Sequence, residues 1–161
     1  MRPAAIGFLL LAGGALASCG QSTFDGVNGE KFIREVVVKQ VGARVATVSC
    51  PDDVKPKQGG RFTCVVRGID GSEGDVLVTQ RDGDGNVLVD APFLNVREAE
   101  AVMTEQIEKE LKASDVKVTC PEIVVDRKDA IFRCKATSGG TSRDVTARLT
   151  DARGHFRYRL G

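Results

Sequence analysis

Tryptophan is absent from this 161-residue chain, and there is one tyrosine and one histidine. A single histidine excludes imidazole-rich metal sites and catalytic arrangements that need two. No two cysteines lie closer than fourteen residues, so the C-x-x-C pairs of zinc sites are missing. Neither sign of charge dominates. The balance is 23 Lys and Arg against 22 Asp and Glu, a net +1, too small for a global field that draws the chain onto nucleic acid. No phosphate-cradling G-x-x-x-x-G-K-[ST] loop occurs, and no apolar run reaches the ~20 residues of a comfortable bilayer span. What is present is 42% hydrophobic and 28% charged, a soluble globular mix that argues against wholesale disorder. The length suits one ordinary domain or two very small ones.

The first eighteen residues read as an address. Arg2 is followed by an uncharged, mostly apolar or small stretch to Ser18, the layout of a secretory signal peptide. Leu16-Ala17-Ser18-Cys19 resembles the lipobox of bacterial lipoproteins, which implies cleavage before Cys19 and a diacylglycerol on its sulfur. The alternatives are an ordinary A-x-A cut after Ala15-Leu16-Ala17, leaving Cys19 free, and an uncleaved anchor helix. Cysteine arithmetic favours the lipobox, because acylation of Cys19 leaves an even four for pairing in an oxidising compartment. Residues 19–27 then form a short polar tether, and the mature chain carries 22 basic and 22 acidic residues.

The remainder is one unit written twice. Val48-Ser49-Cys50-Pro51 recurs as Val118-Thr119-Cys120-Pro121, and Phe62-Thr63-Cys64 as Phe132-Arg133-Cys134. Asp75-Val76 matches Asp144-Val145, and Asp82 and Gly85 match Asp151 and Gly154, every step offset by 70 or 69. Copy one is expected over 28–93 and copy two over 94–161. Each opens on a helical pattern. In copy two Asn95 can cap, with Glu98 three positions on, and Val96, Ala99, Met103, Ile107 and Leu111 form a stripe. In copy one Asn28 can cap and Ile33, Val36, Val37 and Val41 supply the stripe. Gly42 and Ser114-Asp115 are stop signals. Four short strands follow in each copy. The pattern predicts Val45–Cys50, Arg61–Arg67, Asp75–Arg81 and Val87–Asp90, then Val116–Cys120, Ile131–Thr137, Asp144–Thr150 and Phe156–Leu160. The expected fold is α+β: two tandem copies of one helix packed on a four-stranded antiparallel sheet, each with one disulfide.

Units of about 65 residues have marginal cores. Four cysteines allow three pairings. The duplicated spacing favours Cys50–Cys64 and Cys120–Cys134, because each unit must have folded alone before duplication. Each bridge closes a loop of about 15 residues, worth roughly 3 kcal/mol in the chain-entropy picture. The V-x-C-P…F-x-C pattern behind a lipoprotein-like leader resembles a domain-of-unknown-function family common in actinobacterial lipoproteins. Copy one matches through Gly59-Gly60-Arg61-Phe62-Thr63-Cys64, whereas Asp129-Ala130-Ile131-Phe132 in copy two lacks the glycines. The resemblance implies a cell-envelope location and supplies no activity.

Three features could carry chemistry. Asp82-Gly83-Asp84-Gly85-Asn86 begins like a calcium loop, but Phe93 stands where the bidentate Glu belongs, and Asp151-Ala152-Arg153-Gly154-His155 occupies the same place in copy two without the ligands. A shared hairpin turn explains both, and no metal or other cofactor is expected. Arg133, Lys135, Arg148, Arg157 and Arg159 fall on the outward face of the second sheet, a candidate docking surface for an anion or partner. From Leu111 onward there are eleven Lys and Arg against six Asp and Glu, while the preceding helix is acidic. A solvated face charged against aggregation is the plainer reading. On the first sheet Val65, Leu77 and Leu88 occupy that face, a candidate apolar interface covered by the other copy, by the linker Ala91-Pro92-Phe93-Leu94, or by a partner.

No catalytic residue is identified, and an enzyme built on His155 would need a concave pocket around it. The expectation is a non-enzymatic, lipid-anchored binding protein on the extracytoplasmic face of a bacterial cell membrane, its partner an envelope protein or anionic polymer. The alternatives are an inhibitor of a secreted hydrolase, by architectural similarity to the beta-lactamase inhibitory proteins, an accessory subunit of an envelope enzyme, or a plain spacer.

Overall fold

The computed structural model describes residues 26–161. The leader 1–18, Cys19 and the tether up to residue 25 lie outside the described residues. The rest runs α1 (Gly26–Val41), β1 (Val45–Ser49), β2 (Arg61–Gly68), β3 (Glu73–Gln80), β4 (Val87–Asp90), α2 (Val96–Leu111), β5 (Lys117–Thr119), β6 (Ile131–Ser138), β7 (Thr141–Leu149) and β8 (Phe156–Leu160). Strands β1–β4 and β5–β8 form two separate four-stranded antiparallel sheets, each in sequence order. Two similar α+β repeats result, as the duplicated pattern requires.

Alternation puts every second strand residue against the repeat's own helix. In the first unit Ile33, Val37 and Val41 of α1 meet Val48, Cys64, Val66, Val76 and Val78. In the second, Val96, Ala99, Met103 and Ile107 of α2 meet Val118, Phe132, Cys134, Ala136, Val145, Ala147 and Leu149. Cys50–Cys64 and Cys120–Cys134 are the disulfides. Each ties the end of an edge strand to its neighbour, one position past the last paired residues, Ser49↔Val65 and Thr119↔Lys135. A carboxylate supports each bridge. Glu30 accepts from the Cys50 amide at 3.1 Å, and Glu100, 70 residues on, accepts from the Cys120 amide at 2.8 Å.

Several expectations need correction. Asn28 lies inside the first turn of α1, not at its cap. The 70-residue offset explains why, since Gly26 is the counterpart of Val96, the first residue of α2. Asn95 does cap α2, accepting from the Glu98 amide. Leu111 is exposed because it is the last helical residue, followed by Lys112 in a left-handed C-cap at φ 51°. Val36 is only half-buried. Both central hairpins pair further into their turns than expected, so β3 begins at Glu73 and β7 at Thr141. The glycine-poor loop of copy two keeps the backbone of copy one: Asp129 takes φ 65° where Gly59 takes 74°, and their amides donate to Leu149 O and Gln80 O respectively.

The linker does not cover the outer face of the first sheet. Phe93 packs into the first core and the next residue, Leu94, into the second. The chain returns the exchange at Ile123, which enters the first core, while Val124 stays in the second. Gly74 makes room for this, because a Cβ there would press on the Phe93 ring and sit 2.9 Å from the Ile123 side chain.

Candidate functional site

The outer face of β5–β8 is built by register. Successive outward residues on β6 are Ile131, Arg133, Lys135 and Thr137, and β7 sets Arg148, Thr146, Asp144 and Ser142 opposite them. On β8, Arg157 stands opposite Arg148, and Arg159 opposite Thr146. Lys117 on β5 joins from the far edge, opposite Thr137. All six cations are exposed. Carboxylates on or beside this face are few. Asp144 faces Lys135, and Asp129 lies 3.7 Å from Arg148. Among the described residues, Arg133, Arg157 and Arg159 have no ion-pair partner. Like charges directly opposite on a sheet cost stability, so the Arg148–Arg157 pair is not what folding alone would choose. Ile131, 56% exposed, ends the same row. The helix on the other side of this sheet presents Glu98, Glu105 and Glu110 to solvent, so the second unit is basic on one side and acidic on the other.

The outer face of the first sheet does expose Val65, Leu77 and Leu88. They form a diagonal broken by polar neighbours. Val65 is paired with Ser49 and Asp75, Leu77 with Thr63 and Asp90, and Leu88 with Thr79. Among the described residues nothing lies over them.

The calcium-like segment is a turn. Asp82 accepts from the Asp84 and Asn86 amides and from Asn86 Nδ2, and these bonds hold its carboxyl below the ordinary range. Asp151 repeats the pattern with the Arg153 and His155 amides and His155 Nδ1 at 2.7 Å. Among the described residues no group of three or more His, Cys, Asp or Glu is placed to hold a metal ion.

A groove of about 540 Å³ opens between the two units, floored by Val41, Phe93, Leu94 and Val102 and edged by Arg153 and His155. His155 therefore does border a concavity. Its Nδ1 is engaged in the turn that Asn86 closes in copy one, and no Ser, Thr or Cys lines the groove.

Sequence reasoning missed Glu122, the acidic residue after Cys120-Pro121. Only 2% exposed, it takes Arg44 Nε at 2.7 Å, the Arg44 amide at 2.8 Å and Arg97 at 2.8 Å. Burial opposes its ionisation. The Arg44 amide and guanidinium, with Arg97, outweigh that and hold its carboxyl below the ordinary range. Its own amide donates to Asp70, and the Ile123 amide donates to Ser72 Oγ. Asp70 and Ser72 belong to the β2–β3 turn, which holds five residues between the pair Arg67↔Glu73 against four between the equivalent pair Thr137↔Ser142 of copy two, one more. That extra residue, visible where the repeat offset drops from 70 to 69, was the available signal.

Residues 5–85 and 87–154 each match the model of one family, Domain of unknown function (DUF4333). The chain belongs to the DUF4333 family. The two matches fit a tandem repeat of one domain; the first runs through β3, the second from β4 through β7, and β8 lies beyond its end. No curated protein and no solved structure matches.

Proposed function

We propose that this DUF4333 chain is a lipid-anchored binding protein on the extracytoplasmic face of a bacterial, specifically actinobacterial, cell envelope, working by surface complementarity rather than catalysis. The observation that carries the reading is the cationic array on the outer face of β5–β8, with Arg148 and Arg157 set directly opposite each other in the strand register. A face kept only for solubility gains nothing from setting two cations opposite each other on adjacent strands. Two disulfides suit an oxidising compartment. Leu16-Ala17-Ser18-Cys19 supplies the attachment point, and the family match, which starts at residue 5, runs across it. Among the described residues no helix is long and apolar enough to cross a membrane.

Two measurements test this. The intact mass of the native protein should show four hydrogens missing and an acyl adduct on a chain beginning at Cys19. On phosphocellulose at low salt the near-neutral chain should be retained, and Arg148→Glu with Arg157→Glu and Arg159→Glu should pass in the void. An unmodified amino terminus overturns the anchoring, and retention of the triple variant overturns the assignment of the binding face.

A further inference from the structure

We propose that the outer face of β5–β8 lies against an anionic lipid bilayer, so that the anchored molecule rests on the membrane with α2 uppermost. The inference rests on the anchored, face-binding reading above and names the partner of that face. Three observations select a bilayer. The cations form a two-dimensional lattice. Neighbouring strands are about 4.8 Å apart and alternate residues about 6.8 Å apart, so Arg157 has Arg148 beside it and Arg159 along it, with Arg133 two strands beyond Arg159. A linear polymer can follow one row of such a lattice, whereas a plane of headgroups meets all of it. Ile131, exposed in the row of Arg148 and Arg157, places an apolar side chain among the cations, where it can enter the boundary between headgroups and acyl chains. The opposite side of the unit carries Glu98 and Glu110 exposed, with Glu105 paired to Lys109, and the helix is net negative, so an anionic surface repels it and the preferred orientation has a sign.

The leash makes the encounter unavoidable. Six residues lie between Cys19 and Gly26, and even fully extended the seven steps from one to the other span at most about 25 Å. The neutral molecule feels no net pull, but its polarised second unit feels a torque within a Debye length or so of the surface.

The test uses the mature, acylated protein reconstituted in vesicles of phosphatidylcholine alone or mixed equally with phosphatidylglycerol. Phenylglyoxal modifies accessible arginines, and peptide mass spectrometry reads the rate at each one. Arg133, Arg148, Arg157 and Arg159 should react at least about fivefold more slowly on the phosphatidylglycerol vesicles. Arg61 and Arg81, exposed on the first unit, should react alike on both. The slowing should vanish in 1 M salt. Arg148→Gln with Arg157→Gln, at two exposed positions outside the core, should return Arg133 and Arg159 towards the phosphatidylcholine rate. Equal rates on both vesicles, with the protein still attached, overturn the docking while leaving the anchor standing, and assign the face to an acidic protein or wall polymer. A protein that does not stay with either vesicle overturns both.

Discussion

A carboxylate taken out of water is tolerated when its oxygens are filled, and Glu122 fills both with donors from opposite halves of the molecule. Arg44 follows the first helix and Arg97 begins the second, and Arg97 also donates to Glu100, the acceptor of the Cys120 amide. Glu122→Ala should therefore cost about 2–3 kcal/mol in urea unfolding. That lies below the cost of breaking a fully buried pair, because both arginines remain partly in water. The pH dependence follows from the direction of the shifts. Burial raises Asp70, but bonds from Ser72 and the Glu122 amide outweigh it, so Asp70 and Glu122 both sit below their ordinary values. Folded-state carboxyls that are depressed contribute stability that is complete above the unfolded values near pH 4 and is lost as pH falls through the folded ones. Stability should be flat from about pH 7 to 5 and fall below about pH 4, with Glu122→Gln shallower in that window. An equally steep fall in the variant assigns the acid transition elsewhere.

At the scale of the element, pattern and structure agree where period-two alternation is clean. Phe132, Cys134 and Ala136 turn inward and Arg133 and Lys135 outward, and every cysteine spacing repeats. The ends of elements were harder to read. Leu111 fits the helical stripe by position, but a C-cap formed one residue later leaves it in water, and local spacing carries no record of that cap. The basic face was visible residue by residue, but which arginines meet was not, because strand register is set by turns and tertiary pairing. The Arg148–Arg157 juxtaposition gives a prediction belonging to this sheet. Arg157→Thr should raise stability by about 0.5 kcal/mol at low salt, measured in urea because guanidinium would itself screen the pair, and the gain should shrink towards zero in 1 M salt. A loss of stability at low salt would mean the guanidinium groups stack favourably and would remove the folding cost on which the functional argument leans.

For the molecule as a whole, duplication predicts two similar units and is silent on how they join. The joint comes from differences between the copies rather than from their likeness: the longer β2–β3 turn, Glu122 after a shared Cys-Pro, and the reciprocal placing of Phe93, Leu94, Ile123 and Val124. Because Ile123 of the second copy completes the first core, the first half is not whole without the second. Phe93 pairs with Val125 in an isolated bridge, and the Leu94 amide donates to Val124 O, so the crossing strands are bonded as well as packed. Under the proposed membrane docking, the second unit would fix the attitude of the first, including the Val65–Leu77–Leu88 diagonal, instead of leaving it to swing on a linker. Urea should unfold residues 26–161 in one transition whose m-value fits the whole surface rather than half of it. Ile123→Ala, a cavity in the first core, should cost about 2–4 kcal/mol and lower the midpoint reported by hydrogen exchange in both sheets together. If the second sheet keeps its midpoint while the first falls, the halves are independent, and the rigid coupling between membrane contact and the exposed first sheet is lost.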